Sequence, residues 1–158
     1  MDRPSHPQPP SSARSAPPPR WAMLLGYGGL VPFVALALVT WVAKDSRQAQ
    51  AEFALLAYGA TILSFLGGIH WGLALRDPIA PSVERLAWGV VPSLLAWGAL
   101  LWGAGGGLWL LAAGLMACWA VDRSVYPRFG LEGWLAMRLH LTAVASLSCV
   151  TAALGAVH

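Results

Sequence analysis

The sequence predicts an all-α polytopic membrane protein, a bundle of five transmembrane helices, and three observations lead there. Of the 158 residues, 57% are hydrophobic and only 11% charged, whereas an ordinary soluble domain carries about 25% charged residues. The apolar residues gather into repeated runs near the roughly 20 residues that a helix needs to cross a bilayer. The few basic residues fall between those runs, and mostly on one side of the membrane that the runs define.

Residues 1–20, MDRPSHPQPPSSARSAPPPR, hold seven prolines and almost nothing apolar. They read as a disordered Pro-rich cytoplasmic arm, because such a segment buries too little surface to offset the entropy of ordering. Residues 21–158 form the membrane domain. Its first span, about 21–43, carries Pro32 near its middle. That run is too long for the apolar core of a signal peptide, and it ends at Trp41-Val42-Ala43-Lys44 without a small-x-small cleavage site, so it reads as a retained anchor. The second span covers about 51–75. The third, about 86–103, has Pro92 inside it. Prolines within spans are tolerated where neighbouring helices satisfy the freed carbonyls.

The fourth span, about 106–121, is short. At 1.5 Å per residue it requires a locally thinned bilayer, or it must extend into the preceding glycine-rich GAGGG turn. The fifth covers about 133–157.

Five spans put the arm, the 76–85 loop and the 122–138 region on one side. That side holds Arg3, Arg14, Arg20, Arg76, Arg85, Arg123, Arg128 and Arg138, and the other holds Lys44 and Arg47. Under the positive-inside rule the N-terminus is cytoplasmic and the C-terminus periplasmic. Most tryptophans lie near span ends, where amphipathic rings favour the headgroup zone. Trp97 is deeper and reads as a packing residue. The composition offers no basic patch for nucleic acid. Cys118 and Cys149 both fall within spans, without metal-ligand spacing, and read as packed small residues.

Small residues recur every fourth position along the second span: Ala60, Ser64, Gly68 and Gly72. Positions four apart share a helix face, and small side chains there admit a second helix. The third span offers Gly89 and Ser93 at the same spacing, so these two helices are expected to pair. His70 points away from that stripe. It lies about 9 Å below the span end at Arg76, at 1.5 Å per residue. An ionisable group at such depth faces the bundle interior or a wet pocket. His70 is therefore either a chemical or ligand-binding group, or a neutral imidazole bonded to a neighbouring helix.

The same side also brings Asp122 at the end of the fourth span, and Arg138 and His140 near the start of the fifth. An arginine at that depth must pair or snorkel, and Asp122 is the acid at matching depth. An Asp122–Arg138 ion pair is expected, with His70 adjoining. The candidate binding set is thus His70, Asp122, Arg138 and His140. Paired imidazoles from His70 and His140 suit a haem in principle, but propionate-binding groups are lacking, and no cofactor or metal is assigned. No HExxH, GxSxG or phosphate-binding loop occurs, so no enzyme is inferred.

The segments LGYGGLVPF at 25–33, YGATILSFLGGIHWGLAL at 58–75, VPSLLAWGALL at 91–101, AVDR at 120–123 and RLHLTAVASLS at 138–148 resemble, in this order, the transmembrane-protein-69-like family (domain of unknown function 3429). LSFLGGIHWG is the most specific piece. The resemblance implies a small multi-pass protein of the bacterial inner membrane, with mitochondrial relatives, and it implies no activity. The sequence-level expectation is an accessory, assembly or stabilising factor for a larger membrane complex, surrounded by lipid and joined to a membrane-protein partner or a second copy. The alternative is a binder or carrier of a quinone, anionic lipid, proton or solute, using the cytoplasmic-leaflet cluster.

Overall fold

The computed structural model describes residues 16–76 and 83–155. Among these residues all regular structure is helical, and five helical stretches are long and apolar enough to cross a membrane. Most of the proline-rich arm, the Asp77-Pro78 step and His158 lie outside the described residues.

The first span is two helices rather than one: α1 (Arg20–Gly28) and α2 (Val31–Val42). Pro32 sits in the first turn of α2, where its missing N–H costs little. The break leaves backbone carbonyls without helical donors. Tyr58 donates its hydroxyl to one of them, the Gly29 carbonyl, at 2.9 Å.

The second span, α3 (Asp45–Leu75), begins earlier than the hydropathy boundary at 51. Ser46, Arg47, Gln48 and Gln50 are polar, but several residues here are good helix formers, and Asp45 in the first turn favours the positive end of the helix dipole. Gln48 reaches the Gly155 carbonyl at 3.2 Å from this extension.

The third span, α4 (Val83–Trp102), continues through Pro92, and α5 (Ala104–Val125) starts inside the glycine turn. The fourth span therefore lengthens into its turn, as its short hydropathy window required. Gly103 makes this possible with φ 79°, a left-handed conformation that side-chain-bearing residues avoid. Just beyond it, a Cβ on Gly107 would collide with the Ala99 carbonyl, so the α4–α5 hairpin closes backbone to backbone. Two short 3-10 turns, Tyr126–Phe129 and Glu132–Trp134, then return the chain to α6 (Leu135–Gly155).

Leu55, Leu56 and Leu63 of α3 interlock with Leu108, Leu111 and Leu115 of α5, all essentially buried. In lipid this burial gains little hydrophobic driving force, so close packing and interhelical hydrogen bonds carry the association. Cys118 and Cys149 are buried and free within this packing.

The α3–α4 pair forms, but in a different register from the expected stripe. Ala60 is buried, whereas a Cβ on Gly68 or Gly72 would meet nothing within 4 Å. The close approach is made by Gly67, whose Cβ would strike the Gly89 carbonyl. The every-fourth-residue pattern is real, but the face one residue back, Gly59, Leu63, Gly67 and Trp71, makes the contacts, with its glycines admitting the neighbouring helices. Gly89 keeps its predicted role, and Ser64 and Ser93 are only half-buried. Trp97 is 62% exposed, so it faces outward rather than packing inside.

Candidate functional site

Three helices deliver three ionisable side chains to one buried point. His70 comes from the last turns of α3, Asp122 from the last turn of α5, and Arg138 from the first turn of α6. They are 1%, 2% and 9% exposed. His70 Nε2 lies 2.9 Å from Asp122 Oδ1, and Arg138 Nε donates to Asp122 Oδ2 at 2.9 Å. Arg138 Nη2 contacts the same Oδ2. Both carboxylate oxygens are thus engaged, one by each neighbour.

The helix dipoles do not place these charges. Asp122 is an acid at a helix C-terminal end and Arg138 a base at a helix N-terminal end, each the disfavoured position by roughly 0.3–1 kcal/mol. Their mutual pairing, with desolvation already incurred, outweighs that. Since Asp122 Oδ1 accepts, His70 Nε2 carries the proton, and the tautomer is set by this bond. His70 Nδ1 is left buried with no hydrogen-bond partner among the described residues. The Trp88 ring stands nearly perpendicular to the imidazole, 6.4 Å between centroids.

Beside the triad lies a cavity of about 530 Å³. The break between α1 and α2 creates it, for Leu25, Gly26, Gly29, Leu30 and Phe33 form one wall. Ile62, Phe65, Leu66 and Ile69 of α3 form another, and Leu115, Trp134, Met137, Leu141 and Ala145 complete the apolar lining. Leu25 and Phe65 are also well exposed on the outer face of the bundle, so the cavity opens sideways between helices. Its polar end consists of Arg138, Thr142 and Tyr126. Arg138 alone among the three triad residues reaches this lining. Thr142 is 2% exposed, and its hydroxyl has no partner among the described residues. Tyr126 adds a phenol beside the guanidinium.

Of the four residues proposed from sequence, the fold brings His70, Asp122 and Arg138 together and leaves His140 out. His140 is exposed, and its Nδ1 faces the Tyr27 hydroxyl at 3.2 Å, linking α1 to α6. It lies two positions after Arg138, which turns it to another side of the helix. The paired-imidazole geometry that a haem would need is therefore absent from this histidine pair. Sequence reasoning missed Thr142 and Tyr126. Thr142 follows Arg138 by four residues, hence on the same helix face, a spacing that was available to be read. Tyr126 carried no such signal, because a 3-10 turn positions it.

A family described as "Protein of unknown function (DUF3429)" matches residues 18–154. The chain belongs to this family. The DUF3429 match covers every span and the whole site. Among curated relatives, Transmembrane protein 69 of Xenopus tropicalis is 39% identical over 137 residues, covering 84% of this chain and 53% of that protein. Transmembrane protein 69 of Mus musculus is 39% identical over 85 residues, 52% of this chain and 34% of that protein. This DUF3429 chain thus spans about half the length of the frog protein and a third of the mouse protein. No solved structure matches.

Proposed function

We propose that this protein is a membrane-embedded binder of a small amphiphile, whose polar head meets Arg138 and Thr142 while its tail lies along the apolar walls. One observation carries the reading. A single cavity joins nearly continuous apolar lining to Arg138 and to Thr142, whose buried hydroxyl has no partner among the described residues. Small-molecule sites combine these traits, at volumes of roughly 300–1,000 Å³. An unpartnered hydroxyl in hydrocarbon surroundings costs about 1–3 kcal/mol, a cost that a ligand acceptor removes. The reading involves binding and no chemical step. The membrane is taken to be the bacterial inner one, with the triad in the cytoplasmic leaflet, on the family resemblance and the eight-to-two division of basic residues. Reporter fusions that put the C-terminus in the cytoplasm would overturn that orientation.

Native mass spectrometry of the full chain, extracted in mild detergent, tests the binding. The expected result is a one-to-one adduct of lipid-like mass. Ala22→Phe, at the α1 wall of the cavity and away from the packed core, should lose the adduct while keeping the helical content. A wild-type chain that stays bare, even after incubation with total membrane lipid, would refute the reading.

A second reading, an accessory role in a larger membrane complex, is favoured by the open Gly68–Gly72 face. Small residues four apart admit a partner helix, and among the described residues nothing lies within 4 Å of a Cβ at either glycine. Replacing both glycines with leucine should then remove a co-purifying membrane protein without affecting the adduct.

A further inference from the structure

We infer that the head group taken by this cavity is neutral and aromatic with carbonyl acceptors, the chemistry of an isoprenoid quinone, and not the head of an anionic lipid. The inference rests on the amphiphile-binding reading and narrows it. Charge decides the first part. Asp122 compensates Arg138, the one triad residue that reaches the cavity. That ion pair sums to zero. An anionic head would bring an uncompensated negative charge to a site where the polar groups are at least nine-tenths buried, at a large desolvation cost. A carbonyl oxygen brings none, and it accepts from the idle Thr142 hydroxyl.

The walls decide the second part. Phe33, Phe65, Tyr126 and Trp134 all line the cavity, so four aromatic rings are among its walls. Aromatic rings pack well in offset or edge-on contact. The sideways opening beside Phe65 gives a single apolar tail a path out between the helices. Behind Arg138, the Asp122–His70 relay keeps the guanidinium fixed in orientation and able to present its remaining N–H groups to the head.

The test uses the purified full chain in detergent, offered separately a short-tailed benzoquinone, phosphatidylglycerol and diacylglycerol, with bound mass and displacement read by native mass spectrometry. The benzoquinone is expected to bind one-to-one and to resist displacement by phosphatidylglycerol. Thr142→Val should weaken it about tenfold, and Thr142→Ser should restore it, since one lost hydrogen bond to a buried group is of that order. Preferred binding of phosphatidylglycerol would overturn the neutral head, and preferred binding of diacylglycerol would overturn the aromatic one. Either result leaves the amphiphile reading standing. No adduct with any of the three would overturn both. Unweakened benzoquinone binding in a folded Thr142→Val chain would overturn the placement of the head.

Discussion

At the end of the bundle that holds the α4–α5 hairpin, helices meet through backbone. Gly107 lies against the Ala99 carbonyl, and Gly155 lies under the Trp41 ring. The indole of Trp41 donates to the Thr151 carbonyl at 3.0 Å. At the opposite end α3 and α4 still touch, Gly67 against the Gly89 carbonyl. There, however, the α1–α2 break opens a space against α3 and α6, and a buried acid, base and imidazole tie α3, α5 and α6 together. Close backbone contact leaves no room for a ligand. Separation by larger side chains does, but it forfeits the dispersion contacts that hold helices together in lipid. The triad supplies an alternative tie at the open end, and that is why the cavity and the charges adjoin.

Removing that tie should produce the largest effect. Asp122→Ala strands both Arg138 and His70, and a loss of about 3–5 kcal/mol is expected in reversible unfolding in mixed micelles. Asp122→Leu combined with Arg138→Leu should recover most of the stability, because no unpaired charge remains, while abolishing the adduct. A single-variant loss below about 1 kcal/mol would mean that the triad does not hold this end.

The tight end should respond next. Gly107→Val drives a side chain into the Ala99 carbonyl, which can yield only by moving backbone, for a loss of about 1–3 kcal/mol. Ligand adducts on the molecules that remain folded should be unchanged, since no cavity residue moves. Equal loss of adduct and stability would show that the two ends are coupled.

Smaller effects belong to the break itself. Tyr58→Phe leaves the Gly29 carbonyl without its donor, an expected loss of about 0.5–1.5 kcal/mol by the same unfolding assay. Least of all, Gly68→Ala or Gly72→Ala should change stability by less than about 0.5 kcal/mol, because a Cβ at either position meets open space. A clear loss there would mean that the face is occupied in the membrane.

Much of this arrangement was legible from residues. Depth along each span, counted from Arg76 and from Asp122, predicted that Asp122 and Arg138 pair, because an unpaired arginine at that depth is costly whatever surrounds it. The position of His140 was misjudged for a complementary reason. Depth alone does not specify azimuth, and His140 shares the level of Arg138 but not its side of the helix. The Gly68–Gly72 spacing failed similarly. A small-residue stripe says that a helix can approach, while the fold decides which face it approaches, here the one that holds Gly67.

What the sequence determined by itself is one-dimensional: the helical class, the five spans, the glycine turn and the level of each ionisable group. These follow from hydrocarbon thickness and backbone hydrogen bonding, which act on each segment separately. Tertiary structure alone decided the rotation of each helix and the wedge that opens at Gly29. It therefore decided which polar groups meet, which hydroxyl is left idle, and where the cavity lies. Those are properties of pairs of helices. Several helix rotations satisfy the bilayer equally well, and only interlocking side chains select one of them.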